Sequence, residues 1–552
     1  MKINSKMKKL LLVVALCGCV LQAQAKNYYV KEAGAGNGSS WSQAMNNAAF
    51  AERLPLAVDG DTFHIAEGVY KPVVSAGGDT VKARYEVNAS VTLIGGYPAE
   101  PEDGAASNPK LYTTLFSGDH VGDDKIVYAP STFGDGNDSI TAKMDGRGDN
   151  SINLFVVLQA EKRFSVRGVS MTGAVNGAIY STVIDTFEAV KCKFYDMYGP
   201  AFYNTKSSAL YMDSCDIRRC SFGSFNAAIF MPVTVVGKVD HSVFVENGSY
   251  GKLGSTGGAV YLRNGDVLNS FFNKNWGSVG ACIYMAKSAN ATVANCVFAE
   301  SASDRGVVYI NGTEKANVKN NTFINNKHID PLAAAFDHHA ELEVDIIGNI
   351  FIGEAFYHSD ITLETMKGEI SYNLFTQMPI YRKGDVPLSS TDTLLDLSSI
   401  PSLLGGKVVG GEYEPAKDKD GLPVLELLAD TYSNGKSLRF PLSVTNLAAD
   451  INGVERCEMT CPGAYEIRDC DDSDVEELYA ETLQVFPNPA EDEIIVSACE
   501  ELVYQIFSAD GRKVNSGESS DGRIQISHLP QGIYTLHVIC DKDVRLARFV
   551  KK

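Results

Sequence analysis

The chain has 552 residues, 45 % of them hydrophobic, and a formal net charge of −19. That hydrophobic content excludes a wholly disordered chain, and the length suits several ordinary domains or one long repeat array. The acidic balance excludes nucleic acid and acidic membrane surfaces as main partners and suits a soluble extracellular chain.

Residues 1–25 read as a secretory signal peptide. Lys2, Lys6, Lys8 and Lys9 precede the apolar run LLLVVAL, and the small-residue pattern AQA closes at Ala25. The run is too short to span a bilayer, and no later segment is apolar enough, so no transmembrane segment is expected in the mature chain. A rival lipoprotein reading of LCGC, ending at Cys19, fits poorly at Cys17 and Val20. Ten of the twelve cysteines remain after cleavage. An exported chain allows disulfides, but the spacing is too irregular for a disulfide scaffold or a zinc site.

Residues 39–57, SSWSQAMNNAAFAERLPLA, predict a helix with Ser40 or Ser42 as its cap. DGDTFHIAEGVY follows as a first strand and turn. A helix placed there would plug the open end of a repeat array, whose bare strand edges would otherwise pair with other chains.

A phrase of six residues then recurs. AVKCKF ends at Phe194, MDSCDI at Ile217, VDHSVF at Phe244, VLNSFF at Phe272, VANCVF at Phe298, VKNNTF at Phe323, IIGNIF at Phe351 and ISYNLF at Phe375. The steps run from 23 to 28 residues, and VRGVSM, ending at Met171, reads as an earlier degenerate copy. Such a period means a solenoid. Each phrase has an aliphatic residue, three steps to a small polar residue, and two steps to the aromatic. Two steps is strand alternation, whereas three steps requires a bend. Asn, Val, Ile and Phe disfavour helix here, so the unit is one turn of a β-helix.

The columns follow from that period. Cys192, Cys215, Ser242, Ser270, Cys296, Asn321, Asn349 and Asn373 fill the small polar position, where stacked amides satisfy one another. Their cysteines read as interior packing, with a Cys192–Cys215 bridge as the sharper alternative. A second column holds Tyr180, Tyr203, Phe230, Tyr261, Tyr284, Tyr309, Phe336 and Tyr357, an aromatic rib whose direction alternation alone leaves open. A third holds Asp196, Arg219, Glu246, Lys274 and Glu300, a supporting ladder of alternating charge.

GNGSSWSQAM, DGDTFHIAEGVYKP, VTLIGGYPAEPE, YTTLFSGD and GDNSINLFVV occur in the order found in a known family. In them the chain resembles secreted bacterial right-handed parallel β-helix proteins. DINGVERCEMTCPGAYE, 450–466, resembles the close of the same repeats in surface proteins of this kind. Cys461 and Pro462 replace the usual acidic and aliphatic residues there, which leaves a local disulfide from Cys461 to Cys457 or Cys470 open. The expected fold is all-β. Residues 26–466 form a right-handed single-stranded parallel β-helix, pectate-lyase-like, with an N-terminal capping helix.

DCDDSDVEELYAE follows, and residues 467–481 read as an acidic linker. Residues 482–552 alternate apolar and polar positions between Gly, Pro and Asp-Gly turns, which predicts a small antiparallel β-sandwich. PNP at 487–489, DGRKV at 510–514, LPQGIY at 529–534 and the basic end resemble the carboxy-terminal sorting domain of type IX secretion cargo. The resemblance implies the type IX machinery as a partner, removal of the domain after outer-membrane translocation, and attachment to the cell surface.

Candidate chemistry is sparse. RGD at Arg147–Asp149 invites an adhesion reading but sits in an ordinary strand entry, DGRGDNS. FDHHAELEVD and FYHSD would bring Asp337 beside His358 and His339 beside Asp360 if Phe336 stacks under Tyr357, a candidate metal or acid–base group. No strand presents clustered carboxylates with a Lys or Arg base, and there is no GxSxG elbow, HExxH motif or Gly-rich phosphate loop. The expected role is a non-enzymatic adhesin that binds an extracellular glycan, matrix or neighbouring cell, with no cofactor. The alternative is a polysaccharide lyase or glycosidase acting on acidic glycans, in which calcium would be the cofactor.

Overall fold

Two bends per coil shape the repeat. In each of them one residue takes a left-handed backbone, which costs an ordinary L-residue about 1–2 kcal/mol. Lys191, Ser214, His241, Asn269, Asn295 and Asn320 occupy the first bend at φ between 44° and 54°, and Gly348 follows at 67°. Asp196, Arg219, Glu246, Lys274, Glu300 and Asn325 occupy the second at 48° to 55°, followed by Gly353 at 70°. Asn and Gly tolerate this conformation best; they hold the first bend from Asn269 to Gly348, after which Tyr372 takes it at 58°, and the second bend at Asn325 and Gly353. The three-step interval of the repeated phrase is therefore a left-handed bend.

A computed structural model describes residues 24–74, 78–128, 142–183, 185–206, 208–221, 227–248, 256–328, 336–338, 343–353, 357–358, 368–376, 380–381, 384–385, 391–425, 440–466, 485–496, 502–508, 513–540 and 543–552. The expected signal peptide, up to residue 23, and the acidic linker lie outside the described residues. The chain divides into two compact units, Met1–Cys470 and Asp471–Lys552.

The first unit is a parallel β-helix. One sheet of twelve short strands stacks in sequence order, from Gly68–Tyr70 to Thr393–Leu394. Its inward column reads Tyr70, Phe116, Met171, Phe194, Ile217, Phe244, Phe272, Phe298, Phe323, Phe351 and Phe375, all fully buried. Met171 pairs with Phe194, so VRGVSM is a regular copy of the phrase. Later rings of this column stack nearly parallel at 4.8–5.1 Å. The aliphatic column, from Val166 and Ala189 through Met212, Val239, Val267, Val293 and Val318 to Ile346, pairs in register on a second face. Both columns join one hydrophobic core.

Between these columns runs the polar ladder. Asn321 and Asn349 are fully buried neighbours on adjoining coils. The Asn321 amide nitrogen donates to Val293 O at 2.8 Å and to Asn349 Oδ1 at 3.0 Å, and Asn349 Oδ1 also accepts the Asn321 backbone N–H at 2.9 Å. Asn349 repeats the pattern with Val318 O and Asn373 Oδ1. Ser242 and Ser270 accept the same backbone N–H from the coil before. Burial of these amides is thus matched bond for bond. The thiols of Cys192 and Cys215 are buried and unbridged, so interior packing is what this column provides.

The helical plug is shorter than its sequence suggests. It spans Asn47–Arg53, and Asn46 rather than Ser40 or Ser42 is the cap, accepting Ala49 N–H at 2.9 Å. Residues 38–45 instead fold back on the first strand, with Tyr29 N–H donating to Gly38 O and Met45 N–H to Tyr29 O. Phe50 of the helix is fully buried against Phe63 and Tyr85.

Residues 395–425 and 440–466 form a strap along the flank. Ile400, Leu403, Leu404, Tyr413, Leu425, Cys461 and Ala464 bury the outward side chains of Val297, Ala299, Ile324, Ile350, Ile352 and Leu374. Cys457 is disulfide-bonded while Cys461 carries an unbridged thiol, so the bridge considered for Cys461 is absent. The second unit packs a three-stranded antiparallel sheet and a four-stranded one around Ile494, Ile506, Leu536 and Phe549. Among the described residues no helix is long and apolar enough to cross a membrane.

Candidate binding face and carboxylate cluster

The aromatic rib faces outward. In Gly177–Ser181 the neighbours Ile179 and Ser181 are buried while Tyr180 is half-buried, and the same alternation holds on the next strands. Tyr180, Tyr203, Phe230, Tyr261, Tyr284 and Tyr309 pair in direct register on successive coils. Their ring centroids lie 4.6–5.3 Å apart, some stacked and some edge-on. Partial burial raises the phenol pKa of Tyr203 and Tyr261 above the ordinary value. The rib ends at Tyr309. There the register shifts: Phe336 pairs with Val308, and Asp337 stands opposite Tyr309. Phe336 therefore leaves the aromatic column in which its sequence placed it.

That shift bears on the four candidate metal ligands. Asp337 lies in the strand Phe336–His338, and His358 in the strand Tyr357–His358, which pairs with Ile380–Tyr381. His339 and Asp360 lie outside the described residues.

Where the strap's hairpin meets the second bends, a cleft of about 590 Å³ opens. Trp276, Lys274, Glu300 and Asn325 line it from the coils, and Glu412 and Lys417 from the strap. Lys417 Nζ lies 3.0 Å from Glu300 Oε1, and Lys274 Nζ lies 3.9 Å from the same carboxylate. The charged column predicted from sequence thus supplies this cleft, and Asp196 pairs with Arg219 further down it. A ring beside fixed amide and charged groups suits a ligand with apolar faces and many hydroxyls.

Two carboxylate groups differ in how their charge is met. Asp213, Asp240 and His241 lie together, but His241 Nδ1 is 2.9 Å from Asp240, Lys238 is 3.3 Å from it, and Asn269 donates to it at 2.8 Å. Asp119, Asp123 and Asp149 each bring an oxygen within 4.8 Å of the others. Among the described residues no Lys or Arg pairs with them. Asp124 adjoins this group. Burial, then the charges of Asp119, Asp149 and Asp123, push its carboxyl up to about 6 against the helping bond from Asn150. The RGD segment is part of this corner. It forms a tight turn in which Asp149 Oδ2 accepts Val121 N–H at 2.7 Å and the Arg147 guanidinium lies 3.9 Å over the Tyr198 ring.

One ladder escaped the sequence reading. Asn247, Asn275, Ser301 and Asn326 stack three residues after the aromatic of each phrase, each accepting a backbone N–H from the coil before. The constant offset from Phe244, Phe272, Phe298 and Phe323 was the available signal.

The coils and the two ladders define a right-handed parallel β-helix. Comparison with known proteins agrees. A family model described as "Right handed beta helix region" matches residues 168–351, and one described as "Secretion system C-terminal sorting domain" matches residues 484–552. The solved structure titled "Crystal structure of pectate lyase Pel9A" aligns over 74 % of this chain and 90 % of its own, at 13 % identity and a TM-score of 0.35. No curated protein matches the chain. The protein is a secreted right-handed β-helix protein with a type IX sorting domain, exported by that machinery and attached to the cell surface.

Proposed function

We propose that the mature protein is a non-enzymatic adhesin that binds an extended extracellular glycan, in matrix or on a neighbouring cell, along its aromatic rib. The observation that carries this reading is five half-buried aromatic rings, Tyr180 to Tyr284, in register on the outer face, with Tyr309 buried beneath the same column. With strand spacing of about 4.8 Å, the five rings span roughly 19 Å, which matches a polymer better than a small molecule. Rings held on a rigid sheet lose little entropy on binding and offer apolar edges beside phenol hydroxyls. The cleft at Trp276 extends the same kind of surface.

The test is a glycan array probed with the mature chain and with a Tyr203→Ala/Tyr261→Ala variant, alongside incubation with uronate-containing polymers and calcium. The reading predicts retained binding by the parent, at least tenfold weaker binding by the variant, and no ultraviolet-absorbing unsaturated product. Accumulation of that product, or of reducing sugar ends, would establish the lyase or glycosidase alternative instead. Unchanged binding by the variant would remove the rib from the account.

A further inference from the structure

We infer that Asp119, Asp123 and Asp149 form a calcium site that fastens the loop corner of the early coils, with Asp124 and Asn150 completing it. The three carboxylates come from two segments of the chain. Asp119 follows the strand Thr114–Ser117, Asp123 precedes the strand Lys125–Tyr128, and Asp149 closes the turn after Ala142–Asp145. Three carboxylates within 4.8 Å of one another repel unless a cation answers them. No side-chain cation among the described residues does so. His120 donates or accepts at Ser151 Oγ, 3.0 Å away, and Lys71 is bonded to the His120 carbonyl at 3.1 Å.

A second observation points to an ion. Asn150 is fully buried, and its Oδ1 has no hydrogen-bond partner among the described residues. Its Nδ2 is fixed by Asp124 Oδ2 at 2.7 Å and Gly173 O at 2.9 Å, so a flip of the amide would set oxygen against oxygen. Asp124 Oδ1 is likewise buried without a partner. Two orphaned oxygens beside three clustered carboxylates leave acceptors in excess and donors missing. A hard cation with several oxygen ligands meets that imbalance directly, and calcium tolerates the irregular geometry of ligands drawn from two loops better than magnesium does. The neighbouring backbone is already committed to the carboxylates: Gly122 N–H donates to Asp119 Oδ1 at 2.5 Å and Val121 N–H to Asp149 Oδ2. The site is independent of any glycan binding, because it neither touches nor requires the rib.

Isothermal titration of the chelator-treated mature chain with calcium tests the inference, with thermal midpoints recorded in parallel. The expected result is one ion per chain with a Kd of about 0.1–1 mM, the range of extracellular calcium modules, and a midpoint that rises with calcium. Asp123 is exposed, so Asp123→Asn should keep the fold, shown by far-ultraviolet circular dichroism, yet bind at least tenfold more weakly. Asp123→Lys should place an ammonium near the missing charge and make the midpoint indifferent to calcium. Absence of binding by the parent at concentrations well above that range would overturn the site. So would equal binding by parent and Asp123→Asn.

Discussion

Asn349 shows how one side chain holds two coils together. It accepts the Asn321 N–H and the Asn321 amide, and it donates to Val318 O and Asn373 Oδ1. Each is a modest gain when made, but a buried donor or acceptor left without a partner costs about 1–3 kcal/mol. Asn349→Ala should therefore lower stability by about 2–4 kcal/mol in denaturant unfolding. Asn349→Ser should cost less, because Ser242 and Ser270 already serve in the same column. Equal losses for the two would show that volume, not hydrogen bonding, is what the column requires. The two-step and three-step intervals made this column legible in sequence. The unpartnered oxygen of Asn150 was not, since only folding brings Asp124 and Gly173 to its nitrogen. Gly146 is similar. Its φ of 98° and the Asp123 carbonyl, 2.7 Å from where a Cβ would sit, demand glycine, but nothing local in DGRGDNS announces that neighbour.

The elements at the two ends of the helix depend on different forces. At the start, His64 stacks on Tyr29 at 5.1 Å, and its Nδ1 lies 2.8 Å from the Tyr97 hydroxyl. Burial lowers its pKa below the ordinary 6.5. The unfolded chain then binds the proton more readily than the folded one. The neutral ring's contribution is whole above pH 6.5 and is lost as pH falls through the lower folded value. Thermal midpoints measured from neutral pH downward should fall below pH 6.5, and His64→Gln should flatten that slope. A slope unchanged in the variant would assign the effect to other groups. At the far flank, Arg456 and Glu466 are wholly buried, 3.2 Å apart. Arg456 also donates to Asn295 Oδ1 at 2.8 Å and Gly463 O at 3.0 Å, tying the strap to a coil more than 150 residues earlier. Arg456→Met would strand the buried carboxylate and should cost about 3–5 kcal/mol, with Glu466→Gln added in the same chain recovering part of it. The plug was legible as an element but misplaced at its start, because the residues before Asn46 are held by the first strand rather than by helix bonds. The strap was not legible. Its apolar residues have no fixed period, and their partners are outward positions of coils far away in sequence.

At the scale of the whole molecule, the repeat translates distance along the chain into height along one axis. That is why periodicity alone revealed the core columns and the β-helix, whereas the outward direction of the rib needed the burial of Ile179, Phe202 and Ile229 beside it. It is also why a one-residue shift of register at Phe336 ends the rib without altering the core phrase at Phe351. The proposed role rests on the same translation, because five separate rings become a surface only if the coils lie in register. Paired cysteines measure this directly. Tyr203→Cys with Phe230→Cys places two thiols on adjoining strands, about 4.8 Å apart at Cα and inside disulfide range, whereas Tyr203→Cys with Tyr261→Cys sets them roughly twice as far apart. Mild oxidation of the folded chain should bridge the first pair and leave the second open. A bridge in the second pair, or none in the first, would contradict the stacked rib and the binding face built on it.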